Sequence, residues 1–585
     1  MMSLAADSVY APRSSRKLLA VSIAALLLLT LLAHLDGLNN GFLDWDDGDH
    51  VTENPHIKSF DLSMLRWAAT SVDRHNWHPL TWITHAVDFA LYGEDPWGYH
   101  LGNLVLHCLN TLWVFALAQT LLPLVGAPRR TSAGHASQSL LLASFLGAAL
   151  FGVHPQHVES VAWISERKDL LFLFFYLPSL ICYMRFATAR SHEQRRGWYV
   201  AALACFGMSI LSKPMAVSLP IILLLLDVYP LKRAALAGPS RNNGTGAREF
   251  LQRIIEKLPF FAVAVLSVAV TLRVHWNTMN ALATNTPLHR FFNAFDGIAA
   301  YVRHWALPLD LSPQYPYRFS LAGFNGWLSE YSFVILFALV VTALAIWLWR
   351  RGSRAALAGW AFYLVTLLPV LGIASVGSAS SADRYAYLPT LPLHLGFGVF
   401  ASWVLYNERL SKFVRIGASG LVVAVLGAMI HLSQEQTRLW RDDLALWTHA
   451  VAITPHDFTT QLHAAHANVL AANYPEAAHH FKWAFELKKT GRRDPFLSSM
   501  RLVFAQVLFN LGRHEEAAGA LSQIHGGVEP LLLLELHEGL ALKFCSRGES
   551  NSAGYQLNQA TEIDPTPDRA RQLRRRLEAK GCLGR

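Results

Sequence analysis

Leu18-Leu19-Ala20-Val21-Ser22-Ile23-Ala24-Ala25-Leu26-Leu27-Leu28-Leu29-Thr30-Leu31-Leu32-Ala33-His34-Leu35 carries no charge until Asp36. A helix needs about 20 largely apolar residues to cross a bilayer, so this run reads as a membrane span. It contains no small-residue cleavage site and continues to Asp36, which marks a retained helix and not a removed signal peptide. Comparable runs recur near 100–123, 137–153, 170–187, 198–212, 215–231, 257–274, 331–350, 355–372, 387–405 and 413–432. Together they predict an all-α, polytopic membrane domain of about 11 helices over 1–433. The whole chain is 52% hydrophobic and only 16% charged, and with its apolar runs gathered in 1–433 this part does not fit a water-soluble core.

Lys and Arg collect in alternate loops. Arg13, Arg16 and Lys17 precede the first span, and further clusters stand at Arg129 and Arg130, Arg185 to Arg196, Lys232 to Lys257, Arg350 to Arg354 and Arg409 to Arg415. The pattern predicts a cytoplasmic N-terminus, and an odd number of spans then leaves the C-terminal region outside. The net charge of +9 is accounted for by these clusters, so no nucleic-acid partner is expected. Asn243-Gly244-Thr245 satisfies a glycosylation sequon but falls in a loop expected on the cytoplasmic side. Cys545 and Cys582 could pair in an oxidising compartment.

From 434 to 585 the composition becomes Ala-rich and amphipathic, without another span. Around Ala477 stand Ala465, Phe481 and Ala484. Around Ala517 stand Ala505, Gly512 and Leu521, and around Ala553 stand Ala541, Gly548, Leu557, Ala560 and Pro565. These offsets fit tetratricopeptide repeats, with Ala450 and Pro455 as a degenerate leading half; an ordinary helical bundle is the alternative. Such an α-solenoid often presents a concave surface for an extended peptide.

The loops expected outside carry the unusual residues. Between Asp36 and Tyr99 come Asp44, Asp46, Asp47 and Asp49, then Asn54-Pro55, His75, His78-Pro79-Leu80-Thr81-Trp82 and His85. Paired carboxylates beside a first span suit a base at the water–lipid boundary. His78 and His85, like His100 and His107, are spaced to share a helix face. The next outer segment, from His154 through His157, Glu159, Arg167 and Lys168 to Asp169, sets ionisable groups beside two spans, a costly arrangement outside a polar cavity. His154, His157 and Glu159 are metal-ligating types, yet their spacing does not match the two-histidine helical zinc motif, so no metal site is assigned. A divalent metal held by the acidic, histidine-rich rim is the alternative. Lys213 lies in Ser212-Lys213-Pro214-Met215, and Asp383, Arg384 and Tyr387 in Ala382 to Pro389. Lys213, Arg384 and either Arg167 or Lys168 could together meet a phosphate leaving group. The bland alternatives are a snorkelling Lys213 and an Asp383–Arg384 structural pair. The segment 291–317, with Arg303, His304 and Tyr315-Pro316-Tyr317, is expected as an interfacial or re-entrant helix.

The ordered set Asp46-Asp47, Asn54-Pro55, His78 to Trp82, His154 to Asp169, Ser212 to Met215, Asp227-Val228-Tyr229-Pro230-Leu231, Glu256-Lys257-Leu258-Pro259 and Ala382 to Pro389, ending in repeats, resembles bacterial relatives of the transmembrane and tetratricopeptide-repeat O-mannosyltransferases. The resemblance spans nearly the whole chain. It implies the C-type glycosyltransferase fold, a polyprenyl-phosphate-linked sugar as donor, and a base on the acceptor hydroxyl at Asp46, assisted by Asp47. The second acid is Asp here where several members of the fold have Glu.

Three functions follow. The first is transfer of a sugar, mannose in the eukaryotic relatives, from the lipid carrier to hydroxyls of exported proteins held by the repeats. The second is the same chemistry on a glycan or lipid acceptor. The third is a non-enzymatic scaffold anchoring a peptide-binding array. A plasma-membrane location with the repeats outside fits all three.

Overall fold

A computed structural model describes residues 13–72, 77–126, 133–233, 245–281, 287–316, 323–372, 380–488, 495–524, 528–563 and 568–583. His75, Arg129, Arg130, Asn243, Gly244, Tyr317 and Pro565 lie outside these residues. The described chain is helical throughout, and its only pairing of β type is an isolated antiparallel bridge between Tyr315 and Ser381. It divides into two compact units, Met1–Ala445 and Leu446–Arg585.

In the first unit five helices are long and apolar enough to cross a membrane: Arg16–Asn39, Pro96–Val125, Ile164–Thr188, Tyr331–Arg350 and Lys412–Leu439. Two bent pairs, Ala136–Gly152 with Pro155–Ala162 and Phe250–Glu256 with Leu258–Val274, raise the number to seven. This is the architecture of a multi-pass membrane protein. The other four expected spans fall on helices that are shorter or charged at one end: His192–Ser212, Pro214–Val228, Ala355–Val370 and Leu391–Tyr406. The segment 291–317, expected to be interfacial or re-entrant, overlaps Pro287–Ala306, a helix with Arg303 and His304 in its last turn.

Small and hydroxylated residues let these helices approach closely, as expected where lipid tails supply no hydrophobic drive between helices. Ala133–Gly152 packs against Leu391–Tyr406, and a Cβ on Gly398 would stand only 2.6 Å from the Gly147 nitrogen. The Ser402 hydroxyl donates to the Ser139 carbonyl at 2.7 Å on the same seam.

The second unit contains three helix pairs: Phe458–Leu470 with Tyr474–Leu487, Pro495–Asn510 with His514–Leu521, and Pro530–Ser546 with Ser550–Ile563. Asp568–Ala579 follows. Each pair turns through one residue of positive φ, at Ala472, Gly512 and Gly548, the last two glycines that adopt it without strain. Ala465, Ala477, Phe481, Ala484, Ala505, Ala517, Ala541, Ala553 and Ala560 are all buried between the helices. A disulfide joins Cys545 to Cys582, with Cα atoms 5.5 Å apart.

Candidate active site

After the first helix the chain is pinned to the segment that follows Lys412–Leu439. The Asn40 amide donates to the Thr437 carbonyl at 3.1 Å, the Gly41 N–H to the Arg441 carbonyl at 3.0 Å, and the Asp44 N–H to the Asp443 carboxylate at 3.0 Å. This fixes the acidic loop. Asp47 is 1% exposed, and its carboxylate accepts from the Leu43 N–H at 3.0 Å, the Ser165 N–H at 2.9 Å and the Ser165 hydroxyl. Burial pushes its pKa up to about 7; the three hydrogen bonds oppose the rise and the neighbouring Asp46 adds to it.

Asp46 differs. Its side chain is half-buried and, among the described residues, makes no hydrogen bond or ion pair. The loop's other acids, Asp44 and Asp49, are both engaged. Trp45, next to Asp46, stacks on Trp163 with ring centroids 4.4 Å apart and an interplanar angle of 10°. Trp163 in turn stacks on Trp440 at 5.8 Å.

Across this stack lies a buried ionic cluster. Glu166 is shared by three cations: Lys168 at 3.0 Å, Lys213 at 3.2 Å and Arg384 at 3.4 Å. Lys213 also reaches Asp169 at 2.5 Å, and Arg384 pairs with Glu159 through its guanidinium and donates its backbone N–H to the same carboxylate at 2.8 Å. The Arg384 guanidinium stands over Trp45 at 5.6 Å and over Trp163 at 5.4 Å, which links the cluster to the loop that carries Asp46. His50 completes the link. Its pKa is lowered by burial and then by Lys168, and it lies in the field of Asp46, Asp49 and Glu166 as well. His78 is buried beside the same groups and lowered well below the usual imidazole range, by burial first and then by Lys168.

Lys168, Lys213 and Arg384 therefore converge, whereas Arg167 serves another purpose. Its guanidinium is buried and donates to Asp88, to the Asn103 side chain at 2.7 Å and to the Tyr99 carbonyl at 2.5 Å. Gly102 makes the room: a Cβ there would come within 2.7 Å of the guanidinium. Asp383 does not pair with Arg384. It accepts from Tyr315 at 2.6 Å and lies 3.0 Å from His304, which ties the 304–315 segment to the short helix Asp383–Ala386.

His154, His157 and Tyr387 belong to a separate buried layer with His107 and His394. His154 caps its own turn by accepting from the Gln156 N–H at 3.2 Å and bonds to the Trp305 carbonyl at 2.9 Å. His157 bonds to the Phe151 carbonyl at 2.9 Å, and the Tyr387 hydroxyl to His107 at 2.7 Å. With Glu159 committed to Arg384, the three metal-ligating types do not share a site, and no group that could hold a metal occurs among the described residues.

Ser165, Trp45, Trp163, Trp440 and His50 are the residues sequence reasoning did not single out. Trp45 carried a signal, standing between two acids in the loop. Chemically, the arrangement offers one carboxylate without a hydrogen bond or ion pair among the described residues, linked through Trp45 and His50 to three cations that share a carboxylate, which suits proton removal coupled to departure of an anion.

No family model matches the chain. It is similar to protein O-mannosyl-transferase Tmtc1 of Drosophila melanogaster, 32% identical over 30% of this chain and 19% of that protein, and to TMTC2 of Homo sapiens, 29% identical over 32% and 20%. A longer alignment with TMTC4 of Mus musculus is 22% identical and covers 71% of this chain and 60% of that protein. In the first two the match spans about a fifth of the relative's length. A solved structure of ArnT from Cupriavidus metallidurans, bound to undecaprenyl phosphate, aligns over 88% of this chain and 81% of that one, at 16% identity and a TM-score of 0.33. The chain is a distant relative of the protein O-mannosyl-transferases.

Proposed function

We propose that the chain is a membrane glycosyltransferase of the C-type fold that moves a sugar from a polyprenyl-phosphate carrier to hydroxyls of exported proteins. The observation that carries this reading is Asp46: a half-buried carboxylate that makes no hydrogen bond or ion pair among the described residues, next to Trp45, which packs under Arg384 of the cation cluster. In this reading Asp46 accepts the proton of the acceptor hydroxyl, and the oxygen attacks the anomeric carbon of the sugar. The bond from that carbon to the phosphate oxygen breaks, with inversion. The charge that develops on the departing polyprenyl phosphate is met by Lys168, Lys213 and Arg384. Asp47 holds the loop in place through Ser165, and His78 lines the cluster as a neutral imidazole. The sugar in the names of the relatives, mannose, is the donor to test first.

The same reading takes the first 433 residues, with about 11 spans, as the catalytic domain and residues 434–585 as a tetratricopeptide-repeat array that holds the acceptor. Support for the array comes from the three helix pairs and their repeated turns. The Cys545–Cys582 disulfide supports a position for this part outside the cytoplasm, where disulfides persist, at the surface of a plasma membrane.

The test is a glycoproteomic comparison of cells making the intact protein, Asp46→Asn or Asp47→Asn at equal membrane abundance. Loss of O-linked sugars from exported proteins with Asp46→Asn is the expected result, by a factor of about 10² to 10⁴ in rate. An unchanged glycoproteome would transfer the reading to a glycan or lipid acceptor if that product is lost instead, and to a scaffold if nothing is lost.

A further inference from the structure

At the end of the membrane unit away from Asp46 the helices leave a cavity of about 700 Å³. The end follows from the helices themselves. Pro96–Val125 meets Arg167 through Asn103, near its start, whereas the cavity is lined by its last turns, from Leu117 to Gly126. The opposite wall is Val341, Leu344 and Leu348 on the Gly323–Arg350 helix, which packs on its neighbours Pro287–Ala306 and Ala355–Leu367. Among the described residues that line it, nearly every side chain is apolar and Arg354 is the one charged residue.

Three features decide what the cavity takes. Its volume lies within the roughly 300–1,000 Å³ of small-molecule sites. Its extent along the Pro96–Val125 helix, eight rises from Leu117 to Val125, is about 12 Å at the rise of a helix. That is close to one leaflet of a hydrocarbon core about 30 Å thick, which suits an acyl chain entering from one face and not a long prenyl chain crossing both. The third feature is charge. The turn at the mouth holds Arg350, Arg351 and Arg354; Arg351 and Arg354 lie over Trp347 and Trp349 at 5.0 and 5.4 Å, and none of the three has a carboxylate partner among the described residues. Interfacial Trp and Arg are the residues that meet lipid headgroups.

We propose that this cavity binds one anionic phospholipid of the leaflet on that side, an acyl chain between the Pro96–Val125 and Gly323–Arg350 helices and the phosphate on Arg354. The site lies between these two helices, so the lipid acts as a structural wedge. It stands whether or not the chain is a transferase.

The experiment is native mass spectrometry of the full chain released from nanodiscs of equal phosphatidylglycerol and phosphatidylethanolamine. The intact protein is expected to retain one phosphatidylglycerol at least fivefold over phosphatidylethanolamine. Arg354→Gln, at an exposed turn, is expected to bring the preference below twofold, and Arg354→Lys to restore most of it. Leu348→Trp, which fills the cavity, is expected to retain neither. Equal retention of the two lipids by the intact protein, a preference unchanged in Arg354→Gln, lipid retained by Leu348→Trp, or a polyprenyl phosphate as the sole retained lipid would each overturn the proposal.

Discussion

The two units are held together by different chemistry. In Leu446–Arg585 the buried contacts are alanines, leucines and phenylalanines, and the ion pairs lie on the surface: Arg513–Glu516 has side chains 41% and 52% exposed. In Met1–Ala445 charge is buried. Arg167–Asp88, Arg384–Glu159 and Lys213–Asp169 have side chains no more than 11% exposed. A buried charge that loses its partner is costly, whereas an exposed pair contributes little. The contrast teaches that the first unit is specified by polar groups that find each other across the fold, and the second by the size of local apolar residues.

Arg167→Met tests the strong side of the contrast. The substitution strands Asp88 and leaves the Asn103 and Tyr99 acceptors unmet, so a loss of about 3–5 kcal/mol is expected, seen as a lower melting temperature in detergent. A variant that melts like the intact protein yet loses transfer would show instead that Arg167 touches substrate.

Cys582→Ser tests whether the second unit depends on its covalent tie. Removing a disulfide costs about 2–4 kcal/mol, so the variant of the full chain should lose protease resistance in its C-terminal part first. Thiol labelling of the native protein checks the premise, since unreacted Cys545 and Cys582 are expected until a reductant is added.

Asp47→Asn probes the junction between loop and cluster, with an expected loss of about 1–3 kcal/mol, because an amide nitrogen would face the Leu43 or Ser165 donors. Its pH dependence has a definite sign. The folded pKa, pushed up to about 7, exceeds the ordinary carboxyl value of 3.8, so the native state holds an extra proton between them and the stability linked to this group falls as pH rises from about 4 through 7. The variant has no such slope. The gap between variant and intact protein should therefore be widest at about pH 4 and narrow towards pH 8 in parallel melting curves.

How far each unit could be read from sequence follows the same division. Ala477, Phe481 and Ala484 lie within two helical turns, so their spacing announces one buried face, and they are buried. The candidate site offers no such spacing. Asp47 and Ser165 are 118 positions apart, and Glu159 and Arg384 are 225. Residue types indicated that Lys213 and Arg384 could meet an anion, but nothing local could say that Lys168 joins them while Arg167 turns to Asp88. His154 and His157 are ligands by type, but both ring nitrogens of His154 and the Nδ1 of His157 bond to backbone groups instead. The eleven expected spans were counted from hydropathy, which does not register the bends between Gly152 and Pro155 or at Lys257.

Arg513→Ala is the weakest perturbation and the most exacting check of the contrast. Its guanidinium makes two close contacts with Glu516, at 2.7 and 2.6 Å, a geometry as good as that of the buried pairs. If geometry set the energy, the substitution would cost as much as Arg167→Met. Both partners are solvated, however, so water replaces what the pair loses, and the i,i+3 pair also gives back side-chain entropy when it breaks. The expected change is below about 1 kcal/mol and should shrink further in high salt. A loss comparable to that of Arg167→Met, insensitive to salt, would mean that the second unit too relies on specific charge pairing, and that burial is not what separates the two.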